Sequence, residues 1–328
     1  MRRTTTILAA ILSAVSCTGA SAGSSPTRSV APSPTPIDSR VRVVIGAPID
    51  VSSLEGRIVL SSEDNIYSGN ADGSGFKELT TRRGAEFDPT WSPDGRHVVY
   101  RDSRRGINHD DEIYVMDADG SNARDISDDP GNDWGPAWSP NGDRIAFNST
   151  RDGQPMGGFL VDPDGSHLRR IPTDLWVEYP TWSPDGRRIA FMGGNLSGEY
   201  DIWAVDLDGT DPVQLTDSPG PDGWPAWSPD GSRIAFTSVR DDCLFSDSSD
   251  CRTTGDIGPH HDVWVMNADG TGLHRVTPEF GQFVAWSPDG RYLLVSGYDL
   301  YVIRPDGTGR ASLEIEGLRG GLFPDWIR

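Results

Sequence analysis

Apolar residues along this chain come in short runs, each closed by a cluster of turn-forming residues, and the same run and the same turn return. The phrase "PAWSPDGSRIAFTS" (225–238) recurs as "PTWSPDGRHVVY" (89–100), "PAWSPNGDRIAF" (136–147), "PTWSPDGRRIAF" (180–191) and "VAWSPDGRYLLV" (284–295). Its tryptophans, Trp91, Trp138, Trp182, Trp227 and Trp286, lie 47, 44, 45 and 59 residues apart, and self-similarity at such a period marks a repeat architecture.

Residues 224–277 show what one unit contains. "WPAW" leads into "SPDG", where Pro229 presets the first turn dihedral and Gly231 accepts the left-handed conformation that closes a hairpin. "RIAFTS" follows as a second strand, "DVWVM" as a third, "NADG" as another tight turn and "LHRVT" as a fourth. Four antiparallel strands with turns at fixed offsets predict a propeller blade. The third strand carries one aromatic position in every unit, Tyr67, Tyr114, Phe159, Trp203, Trp264 and Tyr301, which counts six blades. Residues 55–80 supply a second, third and fourth strand but no first, whereas "GLFPDWIR" at the other end reads as a first strand around Trp326. The expected fold is therefore all-β: a six-bladed β-propeller over 55–328, closed by pairing of the C-terminal strand into the first blade, which removes an open sheet edge.

Composition fits this: 35% hydrophobic residues with 38 Gly, 25 Pro and 11 Trp suit short strands and tight turns. A formal charge of -20 argues against a nucleic-acid partner. Residues 1–22 read as an export signal, with Arg2 and Arg3 before the apolar run Ile7 to Val15 and small residues to Ala22. Cleavage after Ala22 competes with lipidation of Cys17 in the imperfect lipobox "LSAVSC". Residues 23–54 form a Ser/Pro-rich linker and lead-in. Cys243 and Cys251 enclose seven residues and are expected to form a disulfide in an exported chain. Any membrane contact is expected through a lipid anchor alone, and the chain is expected to be a monomer.

The phrase "WSPDGRxIAF" followed by "DIYVMDADGS" and "LT" resembles the TolB-type propeller repeat of exported bacterial proteins, over residues 55–328. TolB carries an α/β domain before its propeller, and residues 23–54 are too few and too Pro/Ser-rich to form one, so TolB's partners are not carried over. The resemblance implies a fold far more than a function, since propellers host binding modules and enzymes alike.

For the "SPDG" and "DADG" aspartates the expected role is turn formation, and "DADG" fails the spacing of a helix-loop-helix calcium site. Length variation gathers on the opposite face, where "VRDDCLFSDSSDCRTTGDIGPHHD" (239–262) ends at His260 and His261 and "RDSRRGINHDD" (101–111) carries His109. Trp134, Trp176 and Trp224 fall outside the repeat pattern and are expected either at a pocket mouth or packed between blades. Glu86, Asp133, Glu178 and Asp222 precede or begin innermost strands and are expected to ring the channel mouth on that face. There they would hold a divalent cation, calcium or a transition metal, or a cationic ligand; alternatively they accept loop amides or pair with Arg82, Arg83 and Arg319. No Gly-x-Ser-x-Gly elbow occurs within the repeats. The expected function is a binding scaffold at the cell envelope for a protein or glycan, acting through the variable-loop face. The alternative is a metal-dependent carbohydrate lyase or hydrolase at the acidic mouth, by resemblance to oligogalacturonate lyases, although His97, His167 and His274 fall on strands or the regular-turn side.

Overall fold

A computed structural model describes residues 48–81, 84–105, 110–153, 156–194, 200–218, 220–240, 261–277, 281–315, 318 and 322–328. Residues 1–22, read above as an export signal, with Cys17, residues 23–47 of the expected linker, Cys243, Cys251, His109, His260, Arg82, Arg83 and Arg319 lie outside the described residues.

Six four-stranded antiparallel sheets form a propeller. Blade two runs Glu86–Trp91, His97–Arg105, Asp110–Asp117 and Arg124–Asp125 from the centre outwards, and blades three, four and six, beginning at Asp133–Trp138, Glu178–Trp182 and Phe283–Trp286, repeat that order. Blade five runs Asp222–Trp227, Arg233–Ser238, Asp262–Asn267 and His274–Arg275. Blade one takes its second to fourth strands from Arg57–Ser62, Asn65–Asn70 and Lys77–Glu78, and its innermost strand from Leu322–Ile327. That last strand pairs Ile58 with Trp326 and Val59 with Asp325, and Trp326 Nε1 donates to the Glu55 carbonyl at 2.9 Å. The ring thus closes as the repeat phasing predicts.

Second strands such as "RIAF" are apolar on both faces because each blade is sandwiched between two others. Ile234 and Phe236 pack with Ala190 and Ile202 of blade four, whereas Ala235 between them packs with Val284 and Leu293 of blade six. Six such apolar clusters fill the six blade junctions, and the predicted third-strand aromatics belong to them: Phe159 stacks on Phe147 with ring centroids 5.9 Å apart. Truncating one of the fully buried phenylalanines would cost about 3–5 kcal/mol.

The turn aspartates have the structural role expected of them. In "SPDG", the Asp230 carboxylate accepts from the Ser228 hydroxyl and the Ser232 amide, which holds its pKa down at about 2, and Gly231 has a φ of +71°. The glycine of the second turn sets how closely blades approach: a Cβ on Gly270 would lie 2.7 Å from the Leu215 carbonyl of the preceding blade.

Candidate functional site

Each inner strand ends in Trp, or in Trp-Ser-Pro, and in five of the six a proline stands two residues before the tryptophan: Pro89, Pro136, Pro180, Pro225 and Pro324. Proline cannot donate to the ladder and pushes the residue before it out of the right-handed helical region. In all five strands the pairing register slips at that point, and the preceding residue takes a left-handed conformation: Asp88 (φ +53°), Gly135 (+63°), Tyr179 (+47°), Trp224 (+50°) and Phe323 (+50°). Blade six has Val284 instead of proline, and there Phe283 stays in regular register opposite Ser296. The bulge is therefore written by the proline, and its consequence is to aim one variable side chain per blade toward the axis.

These residues form the floor of an axial cavity of about 400 Å³. Its wall is the repeat itself, the six tryptophans, and its rim is Pro93, Pro140, Pro184, Pro229 and Pro288, so it opens on the face of the regular turns. Four aromatic rings cross the floor. Phe283 and Phe323 lie 3.9 Å apart by centroid, Tyr179 is stacked on Phe323 at 6.3 Å, and Trp224 meets Tyr179 at 5.6 Å and Phe283 edge-on at 5.3 Å. Gly135 leaves room for this layer, because a Cβ there would lie 3.1 Å from the Tyr179 ring.

Few polar groups interrupt the apolar surface. Asp88 is 4% exposed, and burial drives its pKa up against the opposing pull of Arg101, whose Nε lies 3.2 Å from Oδ2. Arg101 is shared with Asp111 at 3.3 Å, and Oδ1 of Asp88 has no hydrogen-bond partner among the described residues. Asp325 stands where the other strands carry Thr or Ala; its Oδ2 accepts the Trp91 amide at 2.7 Å, and burial again raises its pKa. Burial, with Asp88 next in importance, also pushes the Tyr179 phenol upward. Bulky residues at positive φ are costly, about 1–3 kcal/mol each, and such strain gathers where a site needs it.

The residues singled out from sequence are distributed differently. Trp224 is a floor residue of the cavity, with the buried His261 6.0 Å from its ring. Burial lowers the His261 pKa to about 4. Trp134 and Trp176 are half-buried outside the cavity, Trp176 against Tyr200 at 6.4 Å. Glu86, Asp133 and Asp222 do not ring a mouth: all three are fully buried at blade junctions. Asp133 pairs with Arg151 at 2.5 Å and Asp222 with Arg240 at 2.6 Å, while Glu86 accepts from Thr80. For Asp133 and Asp222, pairing with arginines two positions beyond the second strands offsets the cost of burying the charge. Glu178 is half-buried, and burial raises its pKa to about 7. Among the described residues no three His, Cys, Asp or Glu side chains are placed to hold a metal. Asp88, Tyr179, Phe283, Phe323 and Asp325 were not legible as site residues. The signal was present: in an otherwise repeated phrase, the residue before Pro-x-Trp is the one that varies.

No protein-family model matches the sequence, and no curated protein does. Solved structures match by fold. TolB from Acinetobacter baumannii superposes with a TM-score of 0.65 at 20% identity over 83% of this chain and 66% of that one, so the chain spans just under two thirds of it. A chain of a nidogen/laminin complex gives 0.64 at 12% identity, over 83% of this chain and 98% of that one. An oligogalacturonate lyase in complex with manganese gives 0.52 at 16%, over 77% and 71%. At these identities the likeness is one of fold.

Proposed function

We propose that this is an exported binding propeller of the cell envelope that receives part of a protein or glycan partner in its axial cavity. The observation that carries the reading is the convergence of four strained non-glycine residues, Asp88, Tyr179, Trp224 and Phe323, on one apolar hollow with few polar groups. Export follows from the N-terminal signal, with Cys17 as the point of lipid attachment or Ala22 as the cleavage point. Fold likeness to TolB and to a chain of a nidogen/laminin complex supports a partner that is a macromolecule. The variable-loop face, expected to bind, is a second contact surface in this reading. A lyase activity rests on fold likeness to the manganese-bound enzyme alone.

Ligand-observed NMR with a fragment library tests the site. Fragments should bind the wild type and lose binding in a folded Ala226→Trp variant, in which the indole fills the cavity from its wall. Fragments that bind both proteins equally, or neither, would remove the cavity from consideration.

A further inference from the structure

The cavity's charge is one-sided. Among the described residues, two carboxylates, Asp88 and Asp325, line it and no Lys, Arg or His does. Asp88 has one guanidinium beside it, but Arg101 also serves Asp111, so that group of three carries a net charge of -1. Asp325 has no ion pair among the described residues; Arg57, which approaches the same strands, stacks over Trp91 at 4.4 Å and donates to the Gly95 carbonyl instead. Oδ1 of Asp88 is buried and, among the described residues, is an acceptor with no donor. A carboxylate left so costs desolvation energy, which a donor or a cation recovers while keeping it charged and which protonation otherwise relieves.

What cation fits is decided by the remaining wall. A bare divalent ion needs about six oxygen ligands in place of its water, and prolines, tryptophans and phenylalanines supply none. An organic cation needs the opposite: aromatic faces for its charge and for its carbon skeleton, with a carboxylate at one end. The Tyr179, Trp224, Phe283 and Phe323 layer provides the faces, and Asp325 and Asp88 the carboxylates. We infer that the cavity receives an organic ammonium group, a protonated amine carried on an aromatic or aliphatic body. This rests on the cavity being a binding site. It adds that recognition is by positive charge, so the part of a partner that enters is amine-bearing.

Three probes share one ring and differ in charge: phenethylammonium, 2-phenylethanol and 3-phenylpropionate. Titrated by calorimetry into the full chain, phenethylammonium should bind at least about tenfold more tightly than the alcohol, and the carboxylate more weakly than either. Asp325→Asn, which keeps shape and an acceptor oxygen, should cut the preference for the ammonium over the alcohol by about tenfold while changing affinity for the alcohol less than about twofold. If Asp325→Asn does not fold, the wild-type ranking alone decides. Equal binding of ammonium and alcohol, both abolished by Ala226→Trp, would overturn recognition by charge and leave the cavity as a binding site. Preference for the propionate would overturn it equally. Binding of none of the three would count against both readings.

Discussion

The Asp325 carboxylate accepts the backbone N–H of Trp91 at 2.7 Å, so the last strand of the ring is fastened by its side chain to blade two as well as by its backbone to blade one. Asp325→Leu strands that buried amide and should destabilise the protein by about 1–3 kcal/mol. Asp325→Asn retains an acceptor and should cost less than about 1 kcal/mol. Urea unfolding midpoints at constant m distinguish them, and equal loss in both variants would mean that the contact contributes nothing.

Asp222 and Arg240 form a pair in which the aspartate side chain is fully buried and the arginine side chain is 12% exposed. Arg240→Met leaves a buried charge unpaired and should cost about 3–5 kcal/mol, whereas Arg240→Met with Asp222→Leu should recover most of it. The exposed Arg96–Asp94 pair is a control, since its removal should cost under about 1 kcal/mol. Denaturation of the single and double variants at pH 7 gives the comparison.

At the bulges the usual ranking of glycine and alanine should invert. Trp224 sits at φ +50°, where glycine is unstrained and alanine is not, so Trp224→Gly should be more stable than Trp224→Ala by about 1 kcal/mol. At Phe283, in regular register one blade along, alanine should be the better of the two. Matching order at both positions would show that the left-handed backbone relaxes once the ring is removed.

Glu178 and His261 should tilt stability with pH in opposite directions. Burial raises the Glu178 pKa from 4.5 to about 7, so between those values the folded protein keeps a proton that the unfolded chain has lost, and stability falls as pH rises. Glu178→Gln should remove that slope and stabilise at pH 8 by on the order of 1–3 kcal/mol. His261, lowered from 6.5 to about 4, is kept neutral where the unfolded chain takes up a proton, so its contribution is lost as pH falls through that range. His261→Gln should flatten the acid limb. Melting temperatures of the three proteins from pH 4 to pH 8 test both signs.

The fold was legible because each turn is local chemistry: Pro229 and Gly231 define the same bend wherever their phrase recurs, and Trp326 marks the strand that completes blade one. The cavity was not, because its floor exists only after ring closure brings Phe323 beside Tyr179 and Phe283. The start of an innermost strand suggested a channel mouth for Asp133 and Asp222. Their true environment depended on Arg151 and Arg240, each anchored by the serine two residues before it, Ser149 and Ser238. That Ser-x-Arg spacing opposite an aspartate is a readable sign of a buried pair.

The contact between Trp326 and Glu55 joins residues 271 positions apart. Bringing such distant segments together carries an entropic cost that grows with the logarithm of the intervening length, and it is recovered only when the junctions between have formed. Blade one therefore stays three-stranded until strand Leu322–Ile327 arrives. Since Phe323 and Asp325 belong to the cavity, the hollow is complete only when that strand has paired into blade one, so the site and the closure of the ring are one event.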